Sequence, residues 1–196
     1  VAEPAEHVHV MPKTENCDQP FNFTSNFKVV RFRLLWNGTW ANTTLGGMNS
    51  EGLTVSTLYF TDYALFKNPS SFSGAHCDNL VPQTQLATYV LATYSSVAKI
   101  KEDLITDLKM AKHRSKRVRL QVSNFPKVWD QPDLGQGSIP VHFVFHDSTG
   151  AGLVLEYTKK HGMKFYDNTV GAMTNSPEYD WHMTNLRNYP TVQRSE

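Results

Sequence analysis

With 196 residues the chain can bury a core and suits one compact domain over 1–196. Hydrophobic residues make up 40% and charged residues 19%, which excludes a disordered polyelectrolyte. The formal net charge of +1 sets up no global field for nucleic acid or an anionic membrane, and no apolar run reaches the roughly 18 residues of a membrane span.

In chain order, residues 1–26 read as irregular and polar, broken by Pro4, Pro12 and Pro20, with one short strand over His7–Met11. The opening, from Val1 to Glu6, has neither an initiator Met nor a signal peptide and reads as a processed or truncated product. Phe27–Trp36 alternates as a half-buried strand, with Val30, Phe32 and Leu34 inward and Arg31 and Arg33 outward. Asn37-Gly38 marks a tight hairpin turn and Gly46–Asn49 a second turn. Leu53–Phe60, rich in β-branched and aromatic residues, is the next strand, and 67–82 a loop.

Two helices follow. Gln83–Tyr94 holds Leu86, Tyr89, Val90 and Leu91. Ser95 or Ser96 caps the second, in which Val97, Ile100, Leu104 and Leu108 form a core-facing stripe opposite Lys99, Lys101, Glu102 and Asp107. The basic run Lys112–Arg119 reads as a solvated loop, with a proteolytic processing site as the alternative. Nucleic-acid binding is disfavoured because no aromatic residues interleave with the charges. Residues 123–140, with Pro126, Pro132 and Pro140, continue the loop. Val141–Asp147, Gly152–Tyr157 and Met163–Tyr166 form a three-strand meander. Strands, helices, then strands without βαβ alternation predict an α+β fold.

Cys17 and Cys77 fit no zinc spacing, and one disulfide or two buried thiols both remain open. Three sequons, at Asn22, Asn37 and Asn42, crowd one polar stretch and point to a secreted or lumenal glycoprotein. With Trp36 and Trp40 they also suggest a carbohydrate- or protein-binding module, although nothing organises those rings into a platform. Eight histidines show no metal-ligand spacing; His142 and His146 read as core or surface residues, and His182 lies too near Asp180 to form a triad. No cofactor or metal is expected.

One segment carries more. Gly171–Tyr189, containing Thr174-Asn175-Ser176-Pro177 and Tyr179-Asp180-Trp181-His182, resembles the T-N-S-P-x-[FY]-D-W-H segment of the choloylglycine hydrolase family, which includes bile salt hydrolases and penicillin V acylases. The match continues through Asn185–Asn188. In the same order, Gly47–Leu53 resembles the family's G-M-N-E-K-G-L, Gly152–Glu156 its V-V-E strand, and Phe165–Asn168 its Y-D-N turn. The resemblance covers roughly residues 8–190, with an apparent insertion over 110–138.

It implies an αββα sandwich of the N-terminal-nucleophile hydrolase type and hydrolysis of linear, non-peptide amides in small N-acyl substrates, such as penicillin V or bile-salt conjugates. In the family a Cys at the mature N-terminus is the nucleophile and its own α-amine the base, which needs no histidine. The resemblance makes Asn175 an oxyanion donor through its side-chain amide and Tyr59 a second through its backbone N–H. A Tyr at 59 is more like the penicillin V acylase branch. From the residues alone, Asn175 reads as a turn residue before Ser176-Pro177, Trp181 and Tyr179 as acyl-pocket or core residues, and Asn49 and Glu51 as turn formers.

The chain departs from the family pattern in three places. The initial Cys and the R-x-x-D stretch would precede Val1, and a later arginine would follow Glu196. Cys17 is internal and has no free α-amine, and Arg187 is not at the later arginine's position. The expectation is therefore a sandwich incomplete at both chain ends, a fragment or subunit completed by the rest of the same protein. The alternative is a diverged, non-catalytic module bound to other chains of a secreted assembly.

Overall fold

The computed structural model describes residues 2–11, 16–17, 22–73, 79–113, 125–131 and 139–189. The strands are β1 (Ala2–Glu3), β2 (Val8–Val10), β3 (Asn22–Thr24), β4 (Val29–Trp36), β5 (Thr39–Asn49), β6 (Thr54–Tyr59), β7 (Leu80–Pro82), β8 (Lys127–Trp129), β9 (Val141–His146), β10 (Gly152–Thr158) and β11 (Gly162–Asp167). The helices are α1 (Gln83–Thr93), α2 (Val97–His113) and α3 (Tyr179–Leu186). Seven strands join one antiparallel sheet in the order β1-β4-β5-β6-β9-β10-β11. The antiparallel pair β2–β3 and the parallel pair β7–β8 stand beside it.

Period-two alternation gives this sheet two working faces. On one, Val55, Phe143, Phe145, Leu153 and Leu155 pack beneath Leu86, Val90 and Leu91 of α1 and Val97, Ile100 and Leu104 of α2. On the other, Val144 and Val154 meet Tyr179 of α3, joined by Leu58, Tyr166, Met173 and Met183. Helices on both faces of the antiparallel sheet make the fold α+β, as the order of elements predicts.

The Asn37-Gly38 hairpin is present, with both residues at positive φ, +46° and +76°. The face assignment of β4 is inverted. Val30, Phe32 and Leu34 are exposed, whereas Arg31 is 8% exposed on the helix side. Its guanidinium donates to Glu3 Oε1 from Nε (3.0 Å) and from Nη2, and from Nη1 to Thr88 Oγ1 of α1 (2.9 Å). A buried cation with a carboxylate partner and hydroxyl acceptors is satisfied where an unpaired one would not be.

Gly46–Asn49 is likewise strand rather than turn, being the end of β5. Gly47 is there for space: a Cβ would lie 2.6 Å from Val30 O and 2.9 Å from Leu91 Cδ1 of α1. The turn comes later. Asn49 organises it by accepting from Glu51 N and Leu53 N, while Glu51 itself is exposed.

Four short strands fall in segments read as irregular or loop. β1 and β3 lie in 1–26, and β7 with β8 joins 67–82 to 123–140. Strands of two or three residues are too short for alternation to register. The helix α2 runs through His113, so the basic run starts inside it; its remainder, Leu108's side chain and most of the 110–138 insertion lie outside the described residues.

Candidate oxyanion site

The segment after β11 crosses the face opposite α1 and α2 and is tied down bond by bond. At the end of β6, Tyr59 N–H donates to Asn175 Oδ1 at 2.9 Å. Ser176 N–H donates to Tyr59 O at 2.9 Å, and Ser176 Oγ to Thr61 O at 3.0 Å. Residues 116 apart in sequence, Tyr59 and Asn175, thus meet through main chain and side chain together.

The flanks are fixed too. His142 Nε2 donates to Thr174 O at 3.0 Å, and Tyr179 N–H, at the start of α3, donates to Glu156 Oε1 at 2.8 Å. His182 Nε2 lies 3.2 Å from Asn175 O. Tyr179 is buried and its hydroxyl donates to Asp167 O at 3.1 Å. Tyr166 holds α3 from β11 by donating to Asp180 Oδ2 at 2.9 Å, and burial pushes its phenol up to about 12, so the donor proton stays in place at neutral pH.

Both expected oxyanion residues are therefore brought together, exposed at the end of the central strand β6. Their bond also has a chemical consequence. The amide oxygen of Asn175 occupies the acceptor position in front of Tyr59 N–H, the position a developing oxyanion would take. Among the described residues Asn175 Nδ2 has no hydrogen-bond partner.

The other expected residues lie elsewhere. Trp181 is 52% exposed on α3, so it is not core. Cys17 is disulfide-bonded and sits among Phe72, Leu80 and Trp129; Cys77 lies outside the described residues. Asn22 is exposed in β3, Asn37 is exposed in the hairpin turn, and Asn42 is in β5. Arg187 is exposed at the end of α3. Among the described residues no group of three His, Cys, Asp or Glu could hold a metal, and no helix is long and apolar enough to cross a membrane. A cleft of about 440 Å³ lined by His7, His9, Met11, Gln85 and Gln131 shares no residue with the Tyr59–Asn175 pair.

Sequence reasoning missed the support beneath the site. His142 and Glu156 are both fully buried on neighbouring strands. A signal was available: a carboxylate inside the apolar run Leu153–Tyr157 must find a partner, and the β9–β10 register brings His142 opposite it.

Comparison with known proteins agrees with this geometry. Residues 5–196 match the family model described as linear amide C–N hydrolases, choloylglycine hydrolase family. The bile salt hydrolase/transferase of Clostridium perfringens is 26% identical over 95% of this chain and 55% of its own length. The conjugated bile acid hydrolase of Lactobacillus acidophilus is 29% identical over 72% of the chain and 37% of its own length. The chain thus spans about half, or less, of the curated relatives it matches.

Among solved structures, a variant of the C. perfringens conjugated bile acid hydrolase superposes with a TM-score of 0.69 at 23% identity, covering 100% of this chain and 50% of that one. Penicillin V acylase from Agrobacterium tumefaciens superposes with a TM-score of 0.68 at 15% identity, covering 98% and 48%. These likenesses assign the N-terminal-nucleophile hydrolase fold.

The relatives also correct one expectation. The secreted or lumenal placement drawn from Asn22, Asn37 and Asn42 does not stand, because the matched relatives are bile salt hydrolases of bacteria. Chance sequons in a Ser/Thr-rich stretch carry no weight against that.

Proposed function

The chain belongs to the choloylglycine hydrolase family of linear amide C–N hydrolases, and from that membership we propose that it carries the oxyanion-binding part of a site that cleaves linear amides in small N-acyl substrates. The observation that supports this most is the 2.9 Å approach of Tyr59 N–H and the Asn175 side-chain amide.

The carbonyl oxygen of the scissile amide takes the place of Asn175 Oδ1 in front of Tyr59 N–H, once the Asn175 side chain has swung aside and directs Nδ2 at the same oxygen. As a nucleophile attacks the carbonyl carbon, negative charge grows on that oxygen and both N–H bonds strengthen, which lowers the barrier because the gain is larger in the transition state than in the ground state. The nucleophile in this reading is an N-terminal cysteine thiolate whose proton passes to its own α-amine. Cys17 does not serve, being disulfide-bonded. In this reading the thiolate and the family's later arginine are not among the residues of this chain. Conjugated bile acids and penicillin V are the first substrates to assay.

The experiment uses the complete protein carrying a free N-terminal cysteine. Substitution Asn175→Ala should lower kcat by about 10²–10³-fold, the usual loss for one oxyanion donor, with the folding midpoint nearly unchanged because the side chain is exposed. Full activity in Asn175→Ala, or a wild-type protein that turns over no acyl amide, would count against the reading. No feature among the described residues favours the non-catalytic alternative.

A further inference from the structure

Beneath the oxyanion pair lies a buried histidine–carboxylate pair that the hydrolytic mechanism does not itself require. We propose that His142 and Glu156 are positioning residues, which hold the segment 174–179 so that Asn175 meets Tyr59 N–H; this rests on the reading of those two as oxyanion donors.

Both side chains are fully buried. Both nitrogens of the His142 ring face oxygens: Nδ1 lies 3.4 Å from Glu156 Oε1 and Nε2 lies 3.0 Å from Thr174 O. A carbonyl oxygen only accepts, so Nε2 carries a proton toward Thr174, the residue immediately before Asn175. Glu156 Oε1 also accepts from Tyr179 N–H at 2.8 Å. One carboxylate oxygen therefore acts on both ends of the segment, directly at Tyr179 and through the imidazole at Thr174. Asn175 sits between the two fixed ends.

The ring has no freedom to leave. Phe60 stacks on it with centroids 4.5 Å apart and an interplanar angle of 13°. Phe60 is the residue after Tyr59, so the stack couples the ring to the second donor as well. Glu156 Oε2 is buried without a hydrogen-bond partner among the described residues. A packed apolar pair would avoid that desolvation, and for stability alone would serve at least as well. What an apolar pair cannot supply is an N–H directed at Thr174 O and an acceptor directed at Tyr179 N–H.

The test is made in the complete protein, with two readouts. One is kcat and KM for amide hydrolysis; the other is hydrogen exchange at Tyr59 N–H, which reports the bond to Asn175 without any turnover. His142→Leu removes the donor to Thr174. It should lower kcat by about 10–100-fold, the scale of a small misplacement of a catalytic group, with KM changed less than about twofold. Exchange at Tyr59 N–H should speed up by at least about tenfold. His142→Gln, whose terminal amide can still reach Thr174 O, should recover most of both. If the leucine variant does not fold, His142→Asn takes its place, since its shorter amide faces Glu156 but falls short of Thr174.

Unchanged kcat and unchanged Tyr59 exchange in a folded His142→Leu or His142→Asn protein would overturn the proposal. So would a loss that His142→Gln fails to recover, which is the pattern of a shape-filling role. A wild-type protein without amidase activity would instead refute the proposed function, while the exchange readout would still decide whether His142 positions Asn175.

Discussion

Asn49 offers the sharpest test of how the sheet is joined to its helices. It is 4% exposed, at the end of β5, and uses all of its amide. Nδ2 donates to Leu91 O at 2.9 Å and to Tyr94 O at 2.8 Å, and Oδ1 accepts from Glu51 N at 3.1 Å and Leu53 N at 3.0 Å. The two carbonyls belong to the last turn of α1 and its cap, where intrahelical partners run out. The two N–H groups belong to the turn into β6. Substitution Asn49→Ala breaks four bonds worth about 0.5–1.5 kcal/mol each, and so should cost about 2–6 kcal/mol. That is a large part of the total stability of an ordinary domain, about 5–15 kcal/mol. Urea unfolding followed by circular dichroism gives the change from the midpoint and slope. Asn49→Asp separates the two halves of the network. It keeps the acceptor for Glu51 and Leu53 but sets oxygen against the Leu91 and Tyr94 carbonyls, so it should also destabilise. An alanine variant within about 1 kcal/mol of wild type, or an aspartate variant equal to wild type, would refute this account of the junction.

Gly47→Ala places a Cβ 2.6 Å from Val30 O, a backbone atom that cannot swing aside. It should destabilise by about 1–3 kcal/mol in the same assay, and an unchanged midpoint would show that β5 and α1 are not in close contact there. At His9, burial lowers the pKa from 6.5 and outweighs the opposing pull of Glu3, with His7 and Arg31 lowering it further. The unfolded chain therefore takes up this proton first, so stability falls as pH drops below 6.5 toward the folded-state value. Substituting His9→Gln should flatten that part of the stability–pH curve; parallel curves for the two proteins would remove His9 as the cause.

The sheet's strands were largely legible because they are long enough to alternate and because Asn37-Gly38 allows only a tight turn. Alternation says which residues share a face, but not which face is covered. For β4 that depended on Glu3, 28 residues upstream of Arg31, and on Thr88 of α1. Neither contact is visible in a local window, so the apolar set was assigned inward when the helices in fact lie over the charged one. Gly46-Gly47 misled in a similar way, because glycine marks a turn and a close approach equally well. At the site, Asn175 and Tyr59 came from a family resemblance and not from any periodicity. Glu156 was legible in principle, as a charge within a buried strand, but its role depends on a loop whose path the sequence does not specify.

The two faces of the sheet are nonetheless linked through register. Arg31, Gly47 and Val55 stand side by side across β4, β5 and β6, all toward the helices. Gly47 allows Leu91 close, and Arg31 reaches Thr88, so α1 fixes these strands against slipping. A slip of one residue would turn every side chain of a strand to the opposite face. On β6 it would also carry Tyr59 N–H away from Asn175, whose own place is set from β9 and β10 by His142 and Glu156. The Tyr59–Asn175 pair thus has two independent supports, one through strand register and one through the buried pair. Substitutions at Gly47 should weaken the whole sheet and the site together, whereas substitutions at His142 should loosen Asn175 while leaving the register of β4, β5 and β6 intact.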